Sequence, residues 1–205
     1  MATSKSHRIG IWIIAAVMVI GTLGGFAAMV LQPKNAATDE NRRNQLMAEY
    51  QAQVNAQTTE LSNKYYPEFS QYESTPAAFD AAEVTELKTT DLKVGDGTEI
   101  KDGTAYAAYY IGWNPSGKVF DQSIENGKLK APINGTGLIT GWEEGVKGMK
   151  LGGIRELTIP AAKAYGETGS GENIPPNTPI KFIVMAVEQP KEIPVSQELL
   201  NYYGK

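Results

Sequence analysis

The sequence predicts an α+β protein in which a mostly antiparallel sheet with one short helix follows a transmembrane helix and a helical stalk. Three observations support this prediction. Residues 84–190 alternate short apolar runs with Gly, Asp and Pro turn signals. Residues 9–31 form an apolar run without charge, and residues 39–66 contain neither glycine nor proline. The sheet, the transmembrane helix and the stalk therefore occupy separate parts of the chain.

Residues 9–31 are long enough to cross a lipid bilayer. A helix of 23 residues rises about 35 Å, and the hydrocarbon core is about 30 Å thick. A secretory signal peptide has a shorter apolar region of about 7–15 residues, so we interpret this run as an uncleaved anchor, with a cleaved signal as the alternative. Lys5 and Arg8 precede the run. They predict that residues 1–8 are cytoplasmic and that the later part of the chain lies outside the cytoplasm.

Residues 35–83 are expected to form a helical stalk and linker. Glu, Gln, Asn and Ala dominate the first part, which predicts a helix that ends at Pro67. Gln57 interrupts its apolar stripe, which favours a solvated spacer; a helix that dimerises or packs on the following domain is the alternative. The C-terminal tail, residues 191–205, is compatible with a further short helix.

The composition excludes several classes of function. The chain has no cysteine and its one histidine, His7, lies beside the apolar run. Disulfides, cysteine nucleophiles, cysteine zinc sites and Ser–His catalysis are therefore excluded. The net charge of −4 and the absence of a basic run argue against nucleic acid as a partner. We expect an enzyme of this composition to work without a nucleophile, a histidine base or a soft metal.

Three segments of residues 84–190 carry a family resemblance. They read GKVFDQS at 117–123, LITGWEEGV at 138–146, and AYG at 164–166 followed by IPPN at 174–177. In this order and spacing they resemble the FKBP-type peptidyl-prolyl cis/trans isomerases, the macrolide-binding immunophilins. The resemblance implies a highly curved antiparallel sheet that wraps around one short helix, with a proline-binding pocket between them.

The resemblance also implies roles for individual residues. Asp121, Tyr110 and Tyr165 are the expected catalytic residues: Asp121 would lie beside Tyr110 and polarise the twisted amide, and Tyr165 would hydrogen-bond the substrate backbone. The expected substrate-binding residues, with Trp142 as the floor under the proline ring, are Phe120, Leu129, Leu138, Ile139, Trp142, Ile174 and Phe182. No metal ligand is expected.

The implied reaction is the isomerisation of X–Pro bonds in extracytoplasmic polypeptides, and a macrolide is a further expected ligand. No covalent bond is made or broken, so this reaction requires neither a nucleophile nor a cofactor, which agrees with the lack of cysteine and of a catalytic histidine. Leu129 and Ala131 depart from the Pro-Phe-x-Phe that the family commonly has here, so we expect a roomier pocket and weaker macrolide binding. A proline-binding chaperone or adaptor with little catalysis is the alternative, and a structural adaptor that acts through the stalk is a third hypothesis.

Overall fold

The computed structural model describes residues 36–203 of the chain. The predicted transmembrane segment, residues 9–31, and the predicted cytoplasmic residues 1–8 lie outside this described part. No helix within residues 36–203 is long and apolar enough to span a membrane. The predicted anchor therefore stays a prediction.

A six-stranded antiparallel sheet forms the body of the fold. The strand bounds are β1 Lys88–Lys93, β2 Ala107–Trp113, β3 Val119–Gln122, β4 Ile124–Glu125, β5 Lys128–Leu129, β6 Ile133–Asn134, β7 Ile154–Ile159 and β8 Ile180–Val187. The strands of the sheet follow one another in space as β1, β7, β8, β2 and β3, and β6 also pairs with β2. The strands β4 and β5 form a separate hairpin.

Three α-helices accompany the sheet within the described residues: α1 Ala36–Phe69, α2 Thr140–Gly145 and α3 Gln197–Tyr203. The short helix α2 packs closely on β7. A Cβ atom at Gly141 would lie 2.3 Å from Cγ2 of Ile159, and one at Gly145 would lie 2.8 Å from Cδ2 of Leu157. These glycines let the helix approach the sheet. The predicted antiparallel sheet with one short helix is confirmed.

The central strand β2 is buried on both faces. Tyr110 belongs to the apolar cluster between the sheet and α2, whereas Tyr109 and Ile111 belong to a second cluster that also contains Phe69 of α1. This alternation follows from the two-residue period of a strand. The sheet therefore separates two cores, one below α2 and one below the C-terminal part of α1.

The C-terminal part of α1 packs on the domain. Phe69 is fully buried, and the rings of Tyr65 and Tyr109 lie 5.8 Å apart. The Leu129 N–H donates to Oγ of Ser62 over 2.9 Å. The preferred interpretation, a solvated spacer, is therefore corrected to the domain-packing alternative. The physical reason is that the second apolar face of β2 needs a cover, because exposed apolar area is costly in water.

Helix α1 ends at Phe69, two residues beyond the predicted end at Pro67. Pro67 therefore lies inside its last turn. Proline lacks the N–H that would bond four residues back. These two extra residues place Phe69 against Tyr109, with ring centroids 6.4 Å apart. Burial of this aromatic ring opposes the local preference of proline to end the helix.

The C-terminal tail folds back onto α1 through α3. The Arg42 guanidinium donates two hydrogen bonds of 2.7 Å to the Glu198 carboxylate, and Leu46 and Leu199 are both buried. Nε2 of Gln57 also donates to the Lys191 carbonyl over 2.8 Å. The tail thus contains the short helix that its sequence was compatible with, and α1 is its partner.

Candidate active site

A cavity of about 250 Å³ lies between α2 and the sheet and collects nine of the ten predicted site residues. These nine come from β2, β3, α2, β8 and the loops between them, so distant segments of the chain meet at one place. They are Tyr110, Phe120, Asp121, Leu138, Ile139, Trp142, Tyr165, Ile174 and Phe182.

Aromatic rings pack edge to face around this cavity. The ring centroids of Trp142 and Phe182 lie 5.2 Å apart at 79°, those of Tyr110 and Trp142 lie 5.9 Å apart at 84°, and those of Phe120 and Phe182 lie 5.5 Å apart at 87°. Such pairs place the positive edge of one ring on the negative face of another, which stabilises the arrangement. The rings therefore form a preorganised apolar wall.

The indole N–H of Trp142 makes its hydrogen bond outside the cavity. The Nε1–H donates to the Tyr106 hydroxyl over 3.0 Å, and that hydroxyl donates to the Gly135 carbonyl over 2.6 Å. Burial raises the pKa of Tyr106 to about 12, so this hydroxyl keeps its proton at neutral pH. The indole is thereby fixed in orientation.

Gly112 on β2 makes room for two of the aromatic rings. A Cβ atom at this position would lie 2.5 Å from Cε1 of Phe182 and 2.7 Å from Cε2 of Phe120. Any side chain here would push against both rings of the wall. A residue without a side chain is therefore required behind the cavity.

Asp121 is the anchored carboxylate of the site. In the pairing of β2 with β3, Asp121 lies opposite Gly112. Gly112 is two residues after Tyr110 on β2. The Tyr110 hydroxyl donates to Oδ2 of Asp121, and the Gln122 N–H donates to Oδ1 over 2.8 Å. Nζ of Lys130 lies 3.8 Å from Oδ1. Both oxygens of Asp121 are thus engaged, which holds its orientation.

The two tyrosines of the site are held in the protonated form. Burial raises the pKa of Tyr110, and the neighbouring Asp121 carboxylate raises it further by its charge and by accepting a hydrogen bond. Burial also raises the pKa of Tyr165, again with a contribution from the charge of Asp121. Both hydroxyls therefore remain hydrogen-bond donors well above neutral pH.

These raised pKa values predict a loss of stability in alkali. The folded state favours the neutral phenol, so the contribution to stability is complete below the unfolded-state pKa of about 10 and decreases as pH rises above it. We expect the free energy of unfolding in urea to decrease between pH 9 and pH 11. The Tyr110→Phe variant should show a shallower decrease, and an equal slope in the two proteins would contradict this assignment.

The prediction that Leu129 lines the pocket is corrected. Leu129 is buried on the opposite side, in the cluster that contains Phe69 and Tyr109, and Ile133 of β6 lines the cavity. The chain leaves strand conformation at residues 130–132, so the side of the sheet that Leu129 faces cannot be extrapolated from its neighbours.

The loop between β7 and β8 supplies further lining residues that were not assigned a role from the sequence. They are Ser170, Gly171, Glu172 and Asn173. Two signals in the sequence pointed to them. They lie in a long loop between two strands, and loops of this length are often functional; in the family that the motifs resemble, residues at these loop positions often contact substrate. Within residues 36–203, no group of three or more His, Asp or Glu side chains is placed to share a metal ion.

The cavity can hold a small apolar ring against aromatic walls while a fixed carboxylate and phenol donors stand beside it. Residues 96–187 match the family model of FKBP-type peptidyl-prolyl cis-trans isomerases. A probable FK506-binding protein of Corynebacterium glutamicum is 42% identical over 101 residues, which cover 48% of this chain and 83% of that protein.

Two further similarities differ in how much of the other protein they cover. FK506-binding protein 4 of Rhizopus delemar is 44% identical over 95 residues, and the match spans only 25% of its length. A crystal structure of AtFKBP13 shares 34% identity, covers 51% of this chain and 93% of that chain, and has a TM-score of 0.45.

The family match and the 83% coverage of the Corynebacterium protein show the family. The chain belongs to the FKBP-type peptidyl-prolyl cis-trans isomerases, as its sequence motifs predicted. The matched region, residues 96–187, falls within the predicted domain of residues 84–190.

Proposed function

We propose that the chain accelerates the cis/trans isomerisation of X–Pro bonds in polypeptides by binding the proline ring in the cavity above Trp142. This proposal rests on one observation: a single cavity of about 250 Å³ is lined both by aromatic rings and by Tyr110 and Asp121, which are hydrogen-bonded to each other. The apolar part would hold the pyrrolidine ring, and in this binding mode the polar pair would face the adjacent amide.

The reaction needs no covalent step. Rotation about the X–Pro bond has a barrier of about 18–20 kcal/mol because the amide loses its resonance in the twisted transition state. An enzyme lowers this barrier by binding the twisted amide more tightly than the planar one. An apolar, preorganised cavity favours the twisted form, since its carbonyl oxygen carries less negative charge than that of the planar amide.

Separate side chains would hold the substrate on either side of the twisted bond. Trp142 and Phe182 would fix the proline ring, and the Tyr165 hydroxyl would donate a hydrogen bond to a substrate carbonyl. Asp121 would act on the twisted amide through its fixed charge, with Tyr110 holding it in place. Preorganised groups of this kind cost no reorganisation when the bond rotates.

The experiment times the cis-to-trans conversion of a proline tetrapeptide with the full chain and with its Trp142→Leu variant. We expect the wild-type protein to accelerate the conversion and the variant to accelerate it much less. FK506, the macrolide that appears in the names of the relatives, should inhibit the wild-type protein. A folded wild-type protein that binds the peptide without accelerating it would contradict the proposal and favour the proline-binding chaperone.

The proposed site of action is outside the cytoplasm. Support comes from the uncharged run of residues 9–31 and from Lys5 and Arg8 before it. In right-side-out vesicles from cells that make the full chain, an added protease should digest the isomerase domain. Protection in these vesicles and digestion in inverted ones would contradict this location.

A further inference from the structure

The charged side chains that line the cavity are both acidic. Among the described residues, Asp121 and Glu172 line it, and no lysine or arginine does. Asp121 is engaged by Tyr110 and by the Gln122 N–H, and it has Lys130 nearby. Its charge is therefore partly balanced inside the protein.

Glu172 is different because its charge is not balanced. The side chain is exposed, and none of the ion pairs found within residues 36–203 includes it. In the same loop, the one lysine, Lys163, is bound to Glu144. A free carboxylate thus stands at the rim of the cavity.

The loop that carries Glu172 is tied down on both sides of this residue. Nδ2 of Asn114 donates to the Asn173 carbonyl over 2.8 Å, and the Ser170 N–H donates to the Ile174 carbonyl over 2.7 Å. Ile174 is itself buried among the residues of the cavity. Glu172 is therefore held at the rim of the cavity, near which the residues that flank a bound proline would lie.

We propose that Glu172 gives this site a preference for prolines that have a lysine or arginine as an immediate neighbour. The inference rests on the proposed isomerase function and names the substrate class of the same site. A basic neighbour would pair with the free carboxylate, and an acidic neighbour would be repelled by it. Because such a pair forms with planar and twisted amides alike, the preference should act mainly on KM.

The test compares peptides that differ only in one residue next to proline. Lysine, glutamine and glutamate are placed before proline in one series and after it in another, and kcat/KM is measured at low and high salt. In at least one series, we expect the lysine peptide to exceed the glutamate peptide by about two- to fivefold at low salt. The ratio should approach one at high salt, because exposed charges are screened.

Two variants assign the preference to one residue. Glu172→Gln should bring the lysine-to-glutamate ratio close to one. Glu167→Gln is the matched control, since Glu167 is exposed in the same loop but does not line the cavity, and it should keep the wild-type ratio. A ratio of one or less in both wild-type series, or an unchanged ratio in Glu172→Gln, would overturn the proposal.

The glutamine peptide separates this inference from the proposed function. If the wild-type protein fails to convert it, the isomerase function is contradicted, and the charge preference is then read from the Kd of the same peptides by calorimetry. An about two- to fivefold tighter Kd for lysine over glutamate, lost in Glu172→Gln, would support the preference. Equal Kd values would overturn it.

Discussion

Replacement of Asp121 by valine is expected to lower kcat/KM for a proline peptide by about ten- to a hundredfold. Valine has a similar shape but removes the fixed charge beside the twisted amide. It also leaves the buried Tyr110 hydroxyl without its acceptor. The measurement is the rate of cis-to-trans conversion, compared with the wild-type protein at the same concentration.

Two further variants separate charge from positioning. Asp121→Asn keeps an acceptor for the Tyr110 hydroxyl but removes the charge, whereas Tyr110→Phe keeps the charge but removes the donor that orients it. We expect Asp121→Asn to resemble Asp121→Val if charge dominates, and Tyr110→Phe to lose less. A wild-type rate in a folded Asp121→Val protein would contradict the proposed role of the carboxylate.

Replacement of Phe69 by alanine is expected to lower the free energy of unfolding by about 3–5 kcal/mol. The ring is fully buried and lies 6.4 Å from each of the rings of Tyr72 and Tyr109. Its removal leaves a cavity under the last turn of α1 that the surrounding side chains can only partly fill. Urea unfolding of the two proteins, followed by circular dichroism, gives the difference.

Gln71→Ala is the matched control for this experiment, because Gln71 is exposed two residues further along the chain. It should change the free energy of unfolding by less than about 0.5 kcal/mol. A similarly small effect of Phe69→Ala would show that α1 does not pack on the domain. By the same reasoning, a fragment that begins after residue 79 would expose the second core, so activity is best measured on a chain that retains α1.

The placement of the pocket residues could be predicted because three sequence motifs resemble those of a known family, and the fold that this resemblance implies brings the motifs together. Tyr110 and Asp121 lie on adjacent antiparallel strands joined by a short turn. The register places Asp121 opposite Gly112, two residues from Tyr110, and the Tyr110 hydroxyl reaches its carboxylate. Trp142 lies on the short helix α2, and the packing of this helix on one face of the sheet brings Trp142 to the same cavity.

The side on which Leu129 lies could not be predicted, because it depends on a contact far away in sequence. Its N–H binds Ser62, which lies 67 positions earlier in the chain. A hairpin of two-residue strands has no period long enough to identify its buried face. The docking of α1 therefore decides where Leu129 packs.

The packing of α1 on the domain also could not be predicted from the composition of the helix. Most of its side chains between residues 39 and 60 are polar and exposed, whereas its burial is concentrated in a few residues such as Leu46, Ser62 and Phe69. A helix that packs mainly through one end shows only a weak apolar stripe over its whole length. Its sequence therefore resembles that of a solvated spacer.

The central claim is that this pocket catalyses rotation about an X–Pro bond. Exchange spectroscopy by NMR tests it most directly, since it observes the cis and trans forms of one proline peptide at equilibrium in the presence of a small amount of the full chain. We expect cross-peaks between the two forms with the wild-type protein and much weaker ones with Asp121→Val. Peptide binding at Trp142 without exchange cross-peaks would contradict the claim.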